Sequence, residues 1–470
     1  MQSFLLFKML TTVIFYIIIN LPTSIKERIN MTDVIFSFDT EDFTSNISAD
    51  AILEEAEILR AHGIKGGFQT VGLLAKQLGA WGREDIKEAL KHHEICFHSY
   101  GHSLHPTINE YTDLDDYNAA RDRLWENEGE GASLVREFFG NAKFYSACPP
   151  GNSLNYVAMY AYADMDIPIY AGTNCDTDDG RGVFLCNIYH AKYTVSFEEI
   201  SSLDSDDKMR ELLDTLATQK RAIVYTHPNS AKFHSYWDLV NYNKTNINEW
   251  GKWVNPPRKT DEETALFYTR MNRFIELMKA DGRFNIISYS ELAREIESEP
   301  ERKITLADIP GIREKLRADF TAIEAPVSLS VSDVFLACRD LLIGKDEHIC
   351  GKVYGFLDTP YAVTDKITLS KEDIVKSARE MDVSVFLPTE IAVGTNKIGP
   401  ADWLFAAMDI LCGADTATVT PREQMPELNI LPSLKKARSM KGWINGDDFA
   451  DNYLTKRLKL QIWTMRFLGK

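Results

Sequence analysis

Short apolar runs alternate with amphipathic segments over about the first 300 residues of the chain. Apolar runs that stop at polar residues, glycine or proline predict buried strands, and apolar residues spaced three or four apart predict helices. The predicted strands are 32–39, 66–71, 143–148, 168–171, 221–226 and 284–288, and the predicted helices are 49–62, 75–92, 117–139, 155–164, 208–219 and 262–279. This alternation predicts a parallel α/β fold.

Several polar residues directly follow predicted strands, and their positions distinguish a barrel from a doubly wound sheet. Asp39, His98, Pro149 and His227 each stand at the carboxyl end of such a strand. In a (β/α) barrel these ends converge on one mouth, where functional sites lie. The pattern therefore favours a barrel with these four residues around its mouth.

The C-terminal third of the chain contains a weak internal repeat. The segments 332–342 and 401–411 resemble each other, with Asp333 and Asp402 in register. Each copy is an apolar helix with an acidic start, and two such units can pack face to face. Two unrelated amphipathic helices are the alternative interpretation. A second predicted helix follows each copy, at 371–381 and 434–440.

A charged stretch with a proline, 297–303, separates these patterns and predicts a domain boundary. We predict a barrel domain over 31–298. A smaller, mainly helical domain is expected over 305–470, with its two repeats at about 327–395 and 396–470.

The first 30 residues allow two interpretations. Residues 9–21 are apolar and follow Lys8, as in a signal-peptide core or a short membrane anchor. The Pro-Thr-Ser sequence at 22–24 is a poor cleavage site, and Met31 directly precedes the first strand. Translation from Met31 predicts a cytoplasmic protein, whereas a genuine segment 1–30 predicts an exported or membrane-anchored one.

Charge and cysteine content narrow the class of protein. The formal net charge of −17 argues against nucleic acid as a partner, because phosphate binding needs a basic surface. The seven cysteines are scattered without a CxxC pair, which is typical of a chain kept reduced.

Two histidines four residues apart, His98 and His102, indicate a metal site. Residues at this spacing can lie on one face of a helix, so both imidazoles can reach one point. Neutral imidazole is a good zinc ligand. Five of the ten histidines lie between positions 92 and 105, so a histidine-rich loop that caps a helix is the alternative.

Taken together, the strand-end segments resemble the polysaccharide deacetylase family, also called the NodB homology family or carbohydrate esterase family 4. The resemblance covers about residues 32–295 and four of the family's five motifs. Segment 37–42 is similar to the first motif of the Asp-x-Glu-Asp branch, and 98–102 to the second motif, H-[ST]-x-x-H. Segments 148–151 and 224–228 stand at the third and fifth motifs.

This resemblance implies a NodB-type distorted (β/α) barrel and a metal-dependent hydrolase. The enzyme would remove N-acetyl groups from an N-acetylated glycan or glycan precursor, with a metal-bound water as nucleophile. Asp39 would be the general base and His227 the general acid. The residues implied in substrate binding are Pro149, Pro150, Gly151, Tyr225 and Trp237.

The resemblance also implies a divalent metal, zinc. Its ligands would be His98, His102 and one acid, either Glu41 or Asp42. The chemistry needs these residue types independently of the family. Amide hydrolysis requires a polarised carbonyl and an activated water, which a metal with an open position supplies. A carboxylate and an imidazole can then transfer the protons.

Two departures from the family leave other functions open. The third-motif arginine is absent, with Ala147 or Cys148 in its place, and Arg181 is a candidate replacement. The fourth motif has no clear counterpart. The alternatives are a catalytically weak or inactive saccharide-binding homologue and an amide hydrolase with a non-sugar substrate.

The C-terminal domain suggests a further partner. Segment 387–402 is faintly similar to cell-wall-binding repeats of the pseudomurein-binding type, which implies cell-wall or glycan contact. Segment 456–467 predicts a basic amphipathic helix.

Overall fold

A computed structural model describes residues 31–173, 175, 177, 179–242, 248–428, 431 and 442–469. The predictions for 1–30 and for the helix at 434–440 lie outside the described residues. Within these ranges, none of the helices combines the length and the apolar character needed to span a membrane.

A curled, mainly parallel sheet of eleven strands organises the N-terminal part of the chain. Its strands are β1 (Thr32–Thr40), β2 (Gly67–Thr70), β3 (Glu94–Phe97), β4 (Ser146–Ala147), β5 (Ile169–Ala171), β6 (Val183–Leu185), β7 (Ile188–Ala191), β8 (Val195–Ser196), β9 (Arg221–Thr226), β10 (Phe284–Ile286) and, from the end of the chain, β17 (Arg466–Phe467). The order is β17-β6-β7-β5-β4-β3-β2-β1-β9-β8, and β10 also pairs with β1. In this sheet β6 is antiparallel to both of its neighbours, β7 and β17, and the other pairings among the described strands are parallel. The sheet forms the distorted (β/α) barrel that the sequence predicts.

Strand β1 lies at the centre of this sheet and positions the acidic residues that follow it. Eight of its nine residues are buried. It pairs with β9, with β2 towards its C-terminal end and with β10 at its N-terminal end. A parallel strand that is covered on both faces needs a nearly continuous apolar sequence. The buried end of β1 therefore places Asp39 at the mouth of the barrel.

Helices flank the sheet, and five of the six predicted helices lie within a few residues of their predicted bounds. They are α1 (Asn46–Ala61), α2 (Gly72–Ala80), α3 (Glu84–Leu90), α4 (Ile108–Thr112), α5 (Tyr117–Phe139), α6 (Tyr156–Asp164), α7 (Phe197–Ile200), α8 (Asp206–Leu216), α9 (Asn229–Lys232), α10 (Trp237–Asn241), α11 (Asp261–Ala280) and α12 (Tyr289–Glu297). The helical segment predicted over 75–92, with an interruption near Gly79, consists of α2 and α3, and the chain turns between them at Gly82 with a φ of +70°. The strand predicted over 143–148 is only the two-residue β4.

Helix α5 has the predicted bounds, and its ends show why. The Asp116 side chain accepts hydrogen bonds from the backbone of Asn118 and Ala119, and the helix stops at Gly140, whose φ is +83°.

The inner face of helix α5 also buries an acid, Glu128. The carboxyl group of Glu128 accepts hydrogen bonds from the hydroxyls of Tyr111 (2.9 Å) and Tyr162 (3.0 Å). Burial raises the pKa of Glu128 to about 7.

We expect Glu128 to make folding stability depend on pH. Because its pKa is raised above the unfolded value, the folded state binds the extra proton, and stability falls as pH rises from about 4.5 to about 7. Over this range the free energy of unfolding should fall by about 3 kcal/mol relative to that of the Glu128→Gln variant. Urea unfolding of both proteins at several pH values measures this difference. Glu126→Gln, at an exposed position of the same helix, is the control and should show no such trend. A flat difference for Glu128→Gln would contradict the prediction.

The C-terminal part is built mainly from helices and short two-stranded sheets. Its elements are β11 (Lys303–Thr305), α13 (Ile309–Ala318), α14 (Val331–Leu342), β12 (Glu347–Ile349), β13 (Ile367–Ser370), α15 (Lys371–Glu380), β14 (Ile391–Val393), β15 (Asn396–Ile398), α16 (Pro400–Leu411), β16 (Thr416–Val419) and α17 (Leu454–Leu460). The two repeated helices, α14 and α16, pack against each other. Asp333 accepts a hydrogen bond from the backbone of Ser330 (2.9 Å), and Asp402 accepts one from that of Gly399 (3.3 Å). The acids in register thus cap equivalent helix starts.

The end of the chain returns to the barrel. The predicted basic helix over 456–467 is wrong beyond Leu460, where α17 ends and a short 3₁₀ turn leads into β17. Strand β17 pairs with β6 at the edge of the barrel sheet. Residues from both ends of the sequence therefore share one sheet.

Candidate metal centre

Two acids and two histidines come together at the mouth of the barrel. Asp39 lies near the end of β1 and Glu41 directly follows that strand, while His98 directly follows β3. His102 lies in the same turn as His98, and the turn is not helical, since Ser99 and His102 have φ values of 71° and 52°. A tight turn therefore brings the two histidines together, and not one face of a helix as their spacing suggested.

Glu41, His98 and His102 direct their donor atoms to one point. The Oε2 atom of Glu41 is 2.9 Å from Nε2 of His102 and 3.3 Å from Nε2 of His98. All three side chains are buried. Ligands about 2.0–2.2 Å from a tetrahedral zinc ion are about 3.4 Å apart, so these distances fit such an ion. One carboxylate and two imidazoles with an open position are a donor set typical of catalytic zinc.

Neighbouring groups orient both imidazoles for this role. Nδ1 of His98 donates to the backbone carbonyl of Cys148 at 2.8 Å, which leaves Nε2 as a lone-pair donor. Nδ1 of His102 lies 3.2 Å from the Ser103 hydroxyl and 3.5 Å from Oδ2 of Asp238. Burial opposes the ionisation of Glu41, but the imidazoles of His102 and His98 hold the pKa of that carboxyl well below its usual range.

The two acids considered as the third ligand have different surroundings. The Asp42 carboxylate accepts hydrogen bonds from the backbone and hydroxyl of Thr44 (2.8 and 2.6 Å) and from Ser48. Burial raises the pKa of Asp42 to about 6. These bonds hold the Asp42 carboxylate at the start of α1, and the geometry favours Glu41 as the ligand.

Asp39 is buried beside the three donor residues. Its Oδ1 accepts a hydrogen bond from the hydroxyl of Tyr193 at 2.6 Å, and its Oδ2 lies 3.9 Å from the Cys148 thiol. Burial is the main cause that raises the pKa of Asp39. Among the described residues no arginine contacts Asp39. The proposed replacement is wrong, because Arg181 pairs with Asp179 and Glu324.

His227 follows β9 and faces Asp39 across the mouth. Its Nε2 is 3.7 Å from Oδ2 of Asp39, and its Nδ1 is 3.2 Å from Oε1 of Glu198. The same Glu198 oxygen accepts the backbone N–H of His227 at 2.9 Å. Burial alone would lower the pKa of His227, but Glu198 and the other nearby carboxylates raise it to about 10.

Sequence reasoning missed both Tyr193 and Glu198. Each lies in the region of β7, β8 and α7, where no strand was predicted. The available signal was an apolar run at 188–191 and an acidic pair just after β8, at the first turn of a short helix. This region supplies the hydrogen-bond partners of both Asp39 and His227.

The candidate metal ligands, Asp39 and His227 line one pocket of about 210 Å³. Of the predicted substrate-binding residues, Pro149, Gly151 and Tyr225 line it. Pro150 is buried at the start of a 3₁₀ turn and does not line the pocket. Trp237 is also fully buried, and its indole N–H donates to Oε1 of Glu41 at 3.0 Å. The prediction that Trp237 contacts substrate is therefore wrong, since its ring has no exposed face. The remaining lining residues are Asp39, Glu41, His98, His102, Asn152, His227, Tyr236 and Trp443.

Several solved structures are similar in fold to this chain. No family model matches the sequence, and no curated protein matches it. A proposed polysaccharide deacetylase from Mycobacterium smegmatis is similar in structure, with 13% identity, 57% of this chain and 91% of that chain covered, and a TM-score of 0.38. This likeness is one of fold.

Two further solved structures, both named for carbohydrate esterase family 4, are also similar to the chain. The family 4 carbohydrate esterase from Streptomyces lividans in complex with acetate has 12% identity and a TM-score of 0.30, covering 55% of this chain and 91% of its own. A family 4 pseudoenzyme from Bacillus anthracis has 15% identity and a TM-score of 0.33, covering 56% and 66%. Residue roles rest on the contacts within this chain.

Proposed function

We propose that this protein is a metal-dependent hydrolase that removes N-acetyl groups from an N-acetylated glycan or glycan precursor. The observation that carries the proposal is the convergence of Glu41, His98 and His102 in one pocket with Asp39 and His227. A divalent metal held by the first three residues, zinc in this proposal, would supply Lewis-acid polarisation of the acetamide carbonyl and activation of water. The negative charge of the chain fits a partner other than nucleic acid.

Asp39 and His227 are suited to move the protons of this reaction. A carboxylate can accept a proton from the attacking water, and an imidazolium can give one to the departing amine. Glu198, whose Oε1 lies 3.2 Å from Nδ1 of His227, favours the protonated form of that imidazole by raising its pKa. Nε2 of His227 lies 3.7 Å from Oδ2 of Asp39, so the proton donor and the proton acceptor are neighbours in one pocket. Glu198 holds the His227 ring in position.

The test is metal content together with acetate release. We would incubate the full-length protein with chito-oligosaccharides and peptidoglycan fragments. About one zinc-like ion per chain and release of acetate that stops on chelation are the expected results. Metal without acetate, but with amine or ammonia from small amides, would instead identify a non-sugar amide hydrolase.

A second candidate function is saccharide binding without turnover. It is favoured by one observation, namely that among the described residues a tyrosine and not an arginine contacts Asp39. This candidate predicts oligosaccharide binding that survives Asp39→Asn, with no acetate from the unaltered protein. Acetate release at any rate above background would exclude it.

The hydroxyl of Tyr193 should matter for turnover if the deacetylase proposal holds. Tyr193→Phe removes the hydrogen bond that fixes Oδ1 of Asp39 and leaves the ring in place. A hydrogen bond to a charged group of this kind is worth about 1.5–3 kcal/mol, so kcat should fall about 10- to 100-fold.

Steady-state kinetics with a chito-oligosaccharide measure this loss, and Tyr145→Phe, outside the pocket, is the control. An unchanged kcat for Tyr193→Phe would show that Asp39 needs no such support.

A further inference from the structure

A segment of the C-terminal part lies against the mouth of the barrel. We call residues 442–453 the C-terminal strap. The backbone N–H of Gly446 donates to Oε1 of Glu110 at 2.6 Å, and that of Asn452 donates to Oδ2 of Asp113 at 2.6 Å. Both acceptors belong to α4 or to the residue that follows it. The strap is therefore fixed to the barrel at two separate points.

Trp443 of the strap is held close to the candidate metal ligands. Its indole N–H donates to Oδ2 of Asp238 at 2.5 Å. The same oxygen accepts a hydrogen bond from the Ser103 hydroxyl at 2.8 Å and lies 3.5 Å from Nδ1 of His102. Asp238 is fully buried, so its carboxylate is a rigid anchor for the indole. The position of the Trp443 ring is thus set by the barrel and not by the strap alone.

The Trp443 ring and Tyr236 form an aromatic wall of the pocket. Both side chains are partly exposed and line it. Their ring centroids are 6.3 Å apart with an interplanar angle of 32°. Tyr236 also packs edge-on against His227 at 4.9 Å. Partly exposed rings beside a polar floor suit a sugar, which presents both an apolar ring face and hydroxyl groups.

The pocket is too small for several sugar rings. Its volume of about 210 Å³ is below the ~300–1,000 Å³ of pockets for drug-sized ligands. An internal residue of a polymer also needs a groove that continues on both sides of the reacting unit. The C-terminal strap meets this pocket through Trp443 and continues from there along α4.

We propose that Trp443 and Tyr236 form a stacking subsite for one N-acetylated sugar ring, and that the C-terminal strap restricts the enzyme to chain-terminal residues or short saccharides. This inference rests on the proposed deacetylase function and specifies the form of its substrate, a chain-terminal sugar or a short saccharide. It assigns a specificity role to a residue of the C-terminal part, outside the four motifs of the barrel.

The test compares the full-length protein with Trp443→Ala and Trp443→Phe on N-acetylglucosamine oligomers of two to six units. Kinetics give kcat and KM, and mass spectrometry locates the free amine. The unaltered protein should deacetylate a terminal unit. Trp443→Ala should raise KM about tenfold and allow reaction at internal units, whereas Trp443→Phe should raise KM only about two- to threefold.

Controls separate this proposal from folding effects. Asp447→Ala alters an exposed residue of the strap and should match the unaltered protein. Thermal unfolding and metal content of the Trp443 variants should also match it. Reaction at internal units by the unaltered protein, or equal KM values and product positions for Trp443→Ala, would overturn the proposal.

A binding measurement keeps the proposal distinct from the proposed activity. If no oligomer releases acetate, the deacetylase function fails, and calorimetry with triacetylchitotriose then tests the subsite alone. Binding that weakens about tenfold in Trp443→Ala would support the subsite without turnover. Equal binding by both proteins, or none by either, would overturn it.

Discussion

Asp39→Asn is expected to lower acetate release about 10²- to 10⁴-fold while the metal remains bound. Asparagine keeps the size of the side chain but cannot accept the proton of the attacking water. Asp39 is not a member of the proposed ligand set of Glu41, His98 and His102, so its loss should leave that set intact. Rates of acetate release and metal content of the purified variant check both parts of the prediction.

Asp33→Asn is a matched control for this substitution. Asp33 belongs to the same strand but lies near its other end, where its carboxylate accepts a hydrogen bond from Asn285 at 2.8 Å. The Asp33→Asn variant should retain acetate release. An Asp39→Asn variant with near-normal turnover would require another general base. Loss of metal from Asp39→Asn would instead make Asp39 a ligand.

Glu41→Gln is expected to abolish stoichiometric metal binding and, with it, acetate release. The amide removes the negative charge that two buried imidazoles surround at 2.9 and 3.3 Å. A neutral oxygen is a much weaker ligand for a divalent ion than a carboxylate. Metal analysis after dialysis and acetate release at saturating substrate both measure the loss.

Asp42→Asn is the paired control, since the family resemblance leaves both acids open as ligands. The Asp42 carboxylate binds Thr44 and Ser48, so this variant should keep its metal and lose only about 1 kcal/mol of folding stability. The opposite outcome, with metal lost from Asp42→Asn and kept by Glu41→Gln, would reverse the proposed ligand set. Metal retained by both variants would place the ion elsewhere.

The reactive residues could be found in the sequence because they follow strands with strong local signals. Residues 34–36 and 38 are apolar and would face both sides of a strand, as in a central parallel strand, and the acids follow this run directly. The histidines follow β3 in the same way. A parallel α/β fold brings such strand ends together whatever the details of packing.

Other parts of the site depend on contacts between distant segments. Tyr193 reaches Asp39 across 154 positions of sequence, and Trp443 reaches Asp238 across 205. No local pattern encodes such pairs, because each depends on how helices and short strands pack. The same reason explains the error for Trp237, since aromatic residues near a motif can become either core or pocket wall.

Hydrophobic periodicity and the order of segments can be read along the chain, and they predict the barrel class and the strand-end segments that carry Asp39, His98, His102 and His227. The tertiary structure distinguishes Glu41 from Asp42, because the Glu41 carboxylate faces the His102 imidazole whereas that of Asp42 binds Thr44. It also decided that a tyrosine supports Asp39 and that the C-terminal strap adjoins the pocket. Those outcomes follow from side-chain direction and long-range packing.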